Sequence, residues 1–462
     1  MNETMLLVLL AVPLAGAVAT LTARRAAVLH ALTVVSHTVV LAIALDLVAE
    51  VLRGSRPRAF GNWLYLDDLG ALILVIVACV GFTAALYSVG YLRHELSQGA
   101  VEVRELRRYY PLLHVFLFTM LLTSVAGNLG VLWTAIAGTT IASAPLVDFY
   151  GSRDPLEAAW KYILLTTAGS MVALFGFLVL YQAGVPSLGQ SYDFSFPTLA
   201  RVAPHLPQAA AGSAFFLVLV GFGTKAGLAP MHSWLPDAHS QAPSPICALL
   251  SGVELNCAML GILRVFALSA PAAGAGRLRL GFLVLGVASI LIAVAFLVSQ
   301  RDFKRLLAYS SIEQMGLVAV GIGLGAPLAV LGGLLQMVTH AFTKSLMFFA
   351  TGNLLLRYRT RTISSVTGLV RAMPATAVLA LAGALAIAGA PPFGIFTSEF
   401  SIVAGAVASH QWAVTVLVVA PLVVGFLALI WPFNRMVLSR AEAVGEVGAS
   451  ELNGLTLIPA YV

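Results

Sequence analysis

The chain has 462 residues, 60% of them hydrophobic and only 10% charged, and its mean hydropathy is +0.94. A water-soluble domain of this size does not carry so little polar surface. The formal net charge of +6 is therefore no nucleic-acid footprint; in lipid, basic residues report orientation loop by loop.

Hydrocarbon excludes unpaired backbone groups, so spans must be helices or a closed barrel, and apolar runs of about 20 residues without strand-like alternation select helices. In chain order, spans are expected to begin near residues 3, 26, 68, 110, 128, 158, 210, 244, 278, 305, 326, 374 and 411. The opening stretch from Met5 to Thr20 has no basic segment before it and is read as the first span, not a signal peptide. His30, His37 and Asp46 in the second span are read as structural polar residues. Cys79, Cys247 and Cys257 fall in apolar segments without C-x-x-C spacing, which gives no zinc, iron-sulfur or other redox centre, and no cofactor is expected. The glycine run from Gly321 to Gly325 lacks the strand-to-helix context of a phosphate loop.

Two spans carry breaks. The seventh reads Gly221-Phe-Gly-Thr-Lys-Ala-Gly-Leu-Ala-Pro230 and the twelfth Ala388-Gly-Ala-Pro-Pro-Phe-Gly394. Proline removes a helix hydrogen bond and glycine eases unwinding, so both helices are expected to open in mid-membrane, as transporter helices do at ion sites. Breaks five spans apart suggest two five-helix repeats. The expected divisions are 1–109 for the three N-terminal helices, 110–270 and 271–440 for the repeats, and 441–462 for a C-terminal tail. Odd-numbered loops and the segment after the last span hold most of the arginines and lysines, among them Arg104, Arg107, Arg108, Arg301, Lys304, Arg305, Arg357, Arg359, Arg361, Arg435 and Arg440. Even-numbered loops hold Arg53, Arg56, Arg58, Arg201, Arg277 and Arg279. The positive-inside rule then puts the N-terminus outside the cytoplasmic (inner) membrane.

Lys225, Glu254, Glu313, His340, Lys344 and Glu399 are expected within or beside spans. Each costs roughly 2.5–3.5 kcal/mol at a helix centre, so several together call for pairing or a functional reason. Lys225, between two glycines of the first break, is where desolvation makes proton exchange possible near neutral pH. Gln336, His340 and Lys344 recur every four residues, which lays one polar stripe on an apolar helix and can carry a water wire. Glu399 follows the second break. His232, Asp237 and His239 follow the first; a loop position at the membrane edge favours a capping or exit-path role over metal ligation.

At Lys225-Ala-Gly-Leu-Ala-Pro-Met-His-Ser-Trp-Leu-Pro-Asp-Ala-His-Ser-Gln-Ala-Pro243 and Gln300-Arg-Asp-Phe-Lys-Arg-Leu-Leu-Ala-Tyr-Ser-Ser-Ile-Glu-Gln-Met-Gly316 the chain resembles the antiporter-like subunits of respiratory complex I and its relatives. The likeness runs from about residue 60 to 440. The wording Trp133–Thr140, Ser244–Arg264, His340-Ala-Phe-Thr-Lys344 and Pro391-Pro-Phe-Gly-Ile-Phe-Thr-Ser-Glu399 is most similar to hydrogenase-4 component F of group 4 membrane-bound [NiFe] hydrogenases. The resemblance implies an all-α polytopic membrane protein of thirteen to fourteen helices, two inverted five-helix repeats with broken helices 7 and 12, and a central polar axis for protons. It implies no cofactor, neighbouring membrane subunits and a peripheral redox arm as partners, and no nucleic acid. Carried over by position, Lys225 matches the seventh-helix lysine of the family, His340, Lys344 and Glu399 match polar residues of the second repeat, and Lys161 a lysine at the start of the sixth helix.

Three departures qualify the match. The fifth-helix glutamate of the family is replaced here by Ala137, before Gly138-Thr-Thr140. In the eighth helix Asn256 stands where complex I subunits carry lysine, while Glu254 occupies a usually apolar position, which makes Glu254 the expected partner of Lys225. The family's fourteenth helix is expected to be missing or short. The favoured function is a proton-translocating, non-redox subunit of a complex I-like or hydrogenase-type oxidoreductase complex. The alternatives are a module of a multisubunit cation/proton antiporter or inorganic-carbon uptake system, and a non-pumping scaffold subunit.

Overall fold

The computed structural model describes residues 2–439, 452 and 454–461. Arg440 and most of the expected tail lie outside the described residues.

Long apolar runs fold as long helices. They are α1 (Asn2–Thr22), α2 (Ala26–Leu52), α3 (Asp68–Ser97), α4 (Val103–Val125), α5 (Leu129–Val147) and α6 (Arg153–Leu188). A short α7 (Phe196–Val202) precedes α8 (Gln208–Lys225), α9 (Trp234–Gln241) and α10 (Ser244–Leu249). A π-helical turn, Leu250–Glu254, joins α10 to α11 (Leu255–Ala273). Then follow α12 (Ala275–Leu297), α13 (Phe303–Leu324), α14 (Pro327–Tyr358), α15 (Leu369–Ala372), α16 (Pro374–Ile387), α17 (Gly394–Ala408), α18 (Trp412–Leu438) and α19 (Gly454–Tyr461). The strands β1 (Arg58–Ala59) and β2 (Leu64–Tyr65) pair in a small antiparallel hairpin between α2 and α3.

Among the described residues, 9 helices are long and apolar enough to cross a membrane by length and composition. The 32-residue α14 is not one of them, because Gln336, His340 and Lys344 lower its hydropathy. Two helices begin earlier than the apolar runs suggest: α4 at Val103 rather than near 110, and α6 at Arg153 rather than near 158. Their first turns are charged, and charged side chains are good helix formers at a water interface.

Side-chain caps fix several ends. Asn128 accepts from the backbone N–H groups of Gly130 and Val131 at 2.8 and 3.1 Å, and Asp302 from those of Lys304 and Arg305 at 2.8 and 3.1 Å. At the seventh expected span, α8 stops at Lys225, Gly227 takes φ +76°, and the helix resumes at Trp234. The Trp234 indole N–H donates to the Thr224 carbonyl at 2.8 Å, adding to the longer 3.3 Å turn bond that this oxygen accepts from the Gly227 N–H at the interruption. At the twelfth, α16 ends at Ile387, Gly389 takes φ +77°, and α17 resumes at Gly394.

The chain divides into two compact units of separated stretches: Met1–Phe82, Arg107–Trp234 and Val253–Phe282 in the first, Thr83–Leu106, Leu235–Gly252 and Leu283–Val462 in the second. In the first, α6 and α8 approach with small residues at the seam: a Cβ at Gly169 would meet the Gly221 carbonyl at 2.6 Å. In the second, α14 sits equally close to α17, where a Cβ at Gly332 would meet the Ser398 carbonyl at 2.8 Å.

Candidate functional site

In the first unit, Lys225 is the last residue of α8, so its side chain leaves from the negative end of a half-helix, where a cation is favoured. Its Nζ lies 2.8 Å from Glu254 Oε1, and both side chains are buried, 1% and 0% exposed. The pairing that Ala137 left open is made from the eighth span instead. Glu254 closes the π-helical turn; such a turn takes one more residue than an α turn and so rotates the following face, a device frequent at functional sites.

Hydroxyl groups surround the pair. Thr139 Oγ1 and the Tyr162 hydroxyl donate to Glu254 Oε1 at 2.8 and 2.7 Å, and Lys225 Nζ donates to Thr140 Oγ1 at 2.5 Å. The Tyr162 and Ser143 hydroxyls are 2.7 Å apart, those of Thr140 and Thr166 3.1 Å. Three donors therefore load one carboxylate oxygen, while the buried Oε2 of Glu254 has no hydrogen-bond partner among the described residues. That oxygen is the vacant acceptor of the cluster, where an incoming proton or water finds a lone pair.

Lys161 does not join this cluster. It is exposed and pairs with Glu157 at 2.7 Å along α6, while Tyr162, one residue and about 100° further round the helix, turns inward. Nothing in the residues around Tyr162 marks it out. His232 is half-buried between α8 and α9.

In the second unit, Lys344 on α14 is fully buried and donates to the Leu307 carbonyl and Ser310 Oγ of α13. His340 Nε2 is 3.3 Å from the Ser251 carbonyl, and Ser251 Oγ is 2.7 Å from Ser311 Oγ. Gln336 donates through Nε2 to Gln314 Oε1 and accepts from Ser398 Oγ. Gln314 Nε2 reaches Glu399 Oε1 at 3.4 Å and the Ile387 carbonyl at 3.4 Å. The stripe on α14 is thus wired to the interrupted end of α16 and to α17 through Gln314, which the sequence reading passed over for its neighbour Glu313. Glu313 is buried too, but its carboxylate faces Gly425 of α18, and its Oε2 has no hydrogen-bond partner among the described residues.

Asp237 and His239 correct the loop expectation, since both lie on α9. Asp237 accepts from Arg305 at 2.6 Å, and the buried His239 ring meets Phe348 edge-on at 5.4 Å between centroids. No group of three metal-ligating side chains occurs among the described residues. The sequence reading also missed a buried anchor: Arg264 of α11 forks onto Asp67, with Nη2 to Oδ1 at 2.7 Å, and lies over the Phe196 ring at 4.6 Å. Burial opposes ionisation of Asp67, but the hydrogen bond and charge of Arg264 outweigh it and hold the carboxyl below its usual range.

Residues 126–425 match the family described as NADH:quinone oxidoreductase/Mrp antiporter, TM, and residues 62–99 match NADH-ubiquinone oxidoreductase (complex I), chain 5 N-terminus. The chain belongs to this proton-antiporter family. It is 38% identical over 351 residues to a hydrogenase-4 component F homolog of Methylacidiphilum infernorum, covering 75% of this chain and 73% of that one. Identity to NADH-quinone oxidoreductase subunit N of Desulforudis audaxviator is 31%, covering 79% of this chain and 71% of that one. With hydrogenase-4 component B of Escherichia coli it is 32%, over 76% of this chain but only 52% of that longer one. The fold is that of a chain in an archaeal membrane-bound sulfane sulfur reductase (TM-score 0.86, 24% identity, 99% and 92% covered). It is also that of a chain in the Mrp complex of a Dietzia species (TM-score 0.83, 22% identity, 99% and 92% covered). The protein is a multi-pass membrane member of a family of subunits of multisubunit complexes.

Proposed function

We propose that the chain is the proton-translocating, non-redox membrane subunit of a complex I-like or [NiFe]-hydrogenase-type oxidoreductase complex. The observation that carries this reading is the Lys225–Glu254 pair, buried at 1% and 0% exposure with a hydroxyl cluster around it and one carboxylate oxygen vacant. Withdrawing two charges from water costs several kcal/mol per ion, so a pair kept purely for stability is a poor bargain against apolar side chains. A pair that exchanges protons has a reason to persist. A proton arriving at Glu254 Oε2 converts the carboxylate to an acid and releases Lys225 from its partner; the ammonium then gives up a proton that the Thr140 and Thr166 hydroxyls relay, each accepting one as it passes its own on. In the second unit, Lys344, His340, Gln336, Gln314 and Glu399 form the corresponding polar row, with Glu313 a further acceptor.

The two five-helix repeats, with interruptions in their seventh and twelfth spans, belong to the same proposal. So does the orientation, with the N-terminus outside the cytoplasmic membrane, supported by the arginine and lysine asymmetry of the loops. The expected partners are further membrane subunits and, through them, a peripheral arm that carries the redox chemistry. The scaffold reading drew on Ala137, and Glu254 supplies the carboxylate whose loss motivated it.

Mild detergent extraction of the intact assembly, followed by mass spectrometry, tests the assignment. Recovery with a [NiFe] catalytic subunit or an NADH-oxidising module is expected. Recovery with a set of cation-antiporter subunits and no redox protein would move the chain to the antiporter reading.

A further inference from the structure

Helices α1, α2 and α4 of the first unit close around a second group of buried titratable side chains. On α2, His30, Thr33 and His37 recur at helical spacing on one face, and on α4 Tyr110 and His114 lie one turn apart. His30, His37 and His114 are 3%, 1% and 0% exposed. His30 Nδ1 and the Tyr110 hydroxyl are 2.6 Å apart.

Deeper in, hydrogen bonding fixes the tautomers of the other two rings. His37 Nδ1 lies 2.9 Å from the Thr33 carbonyl, which only accepts, so Nδ1 carries the hydrogen and the neutral ring keeps its lone pair at Nε2. Thr33 Oγ1 donates its own hydrogen to the Leu29 carbonyl at 2.9 Å and so offers only lone pairs to His114 Nε2, 3.5 Å away. Nε2 of His114 therefore carries the hydrogen and Nδ1 the lone pair. The two rings are 5.0 Å apart between centroids. His37 Nε2, His114 Nδ1 and Ser36 Oγ are all buried and have no hydrogen-bond partner among the described residues. Gly16 of α1 leaves space beside two of them: a Cβ there would lie 2.8 Å from His114 Nδ1 and 2.9 Å from Ser36 Oγ.

The Ser36 hydroxyl can donate its one hydrogen to only one ring, so two buried imidazole lone pairs are together short of one proton. We propose that His37 and His114 are a proton-holding site, which takes one proton from water and shares it between His37 Nε2 and His114 Nδ1, with Ser36 Oγ as a third lone-pair donor. The row has one open end. His30 and Tyr110 lead toward the Arg24–Arg25 end of α2, where Arg107 donates to the Leu21 carbonyl at 3.2 Å. Beyond His37, about 16 Å into the helix, the buried face of α2 is Val40, Ala44 and Leu47. The site stores and returns a proton from one side and does not conduct across the membrane. The titratable neighbours are His30 and Tyr110; α1 brings only Gly16 at this level, and α3, packed on α4 through Gly81 and Leu117, has no charged residue between Asp68 and Arg93, where its titratable side chains are Cys79, Tyr87 and Tyr91.

The test uses the full chain, labelled with ¹⁵N-histidine and reconstituted in lipid bilayers, with the ring nitrogens of His37 and His114 followed by solid-state NMR as pH is lowered. One shared proton gives a common midpoint for both rings, and His114→Gln moves the His37 midpoint by about one pH unit or more, the mark of strongly coupled sites. Independent midpoints, rings that stay neutral throughout, or a bound metal ion in place of the proton would overturn the proposal. If the variant does not fold, the common midpoint of the unaltered chain decides alone. The readout needs no turnover, so its failure leaves the proposed role of Lys225 and Glu254 standing.

Discussion

Lys225 in the first unit and Lys344 in the second are both lysines on membrane helices with almost no exposed surface, yet they are held differently. Lys225 Nζ has a carboxylate at 2.8 Å, and that carboxylate has two hydroxyl donors of its own. Lys344 Nζ is held by neutral oxygens, the Leu307 carbonyl and the Ser310 hydroxyl, and no carboxylate lies within 4.0 Å of it among the described residues. A buried charge is tolerable when paired and expensive when it is not. The first site is thus arranged to keep a charge pair and release it on protonation. The second gives its lysine only neutral oxygens, beside a polar row that leads to Glu399.

Removing half of the first site should therefore have the largest effect on stability. Glu254→Ala leaves an ammonium buried without its partner, and a loss of about 3–5 kcal/mol is expected in thermal or denaturant melts of the reconstituted chain. Replacing both partners with apolar residues of similar volume, Lys225→Met with Glu254→Leu, should restore most of that stability. If the double variant melts as poorly as Glu254→Ala, the penalty is not one of unpaired charge.

The same change in the second unit should act in the opposite direction. Lys344→Met removes a charge that Glu313 offsets only from beyond ion-pair distance, so stability is expected to stay level or rise by about 1 kcal/mol, while proton translocation falls. A loss as large as that of Glu254→Ala would mean Lys344 has a partner and erase the contrast.

Asp67 and Arg264 supply a third case, a pair at the rim of the first unit. With the carboxyl held below its unfolded value, the pair stabilises fully above that value and loses its effect as pH falls through the folded one. Acid melts of Asp67→Asn should accordingly lie flatter below about pH 4 than those of the unaltered chain, and identical acid limbs would count against the pairing. The smallest effect is expected at Lys161→Ala. An exposed pair along one helix is worth about 0.5 kcal/mol or less, and proton translocation should be unchanged; a marked loss would restore to Lys161 the role that its exposed position argues against.

How far these sites could be read from residues alone depended on what marks them. The spans were legible because lipid demands long apolar runs, and their starts shifted only where a charged first turn, as at Arg153, extends a helix beyond its apolar part. The Lys225–Glu254 pairing was legible as a matter of charge balance, since Ala137 removes one carboxylate and Glu254 adds another. Tyr162, Thr139 and Thr140 were not, because a hydroxyl on a membrane helix costs little and signals nothing without its neighbours. Nor was the π-helical turn before Glu254, which has no compositional mark and rotates the chain at the point that matters. Gln314 and Glu313 adjoin in sequence, but only geometry tells which of them reaches Glu399.

Protons moved per electron, counted in sealed membrane vesicles that carry the Lys225→Met, Glu254→Leu double variant, decide whether the buried pair passes protons. If the pair passes protons, the ratio falls below that of the unaltered complex although the assembly remains intact. An unchanged ratio would leave the pair a structural fixture and contradict the account.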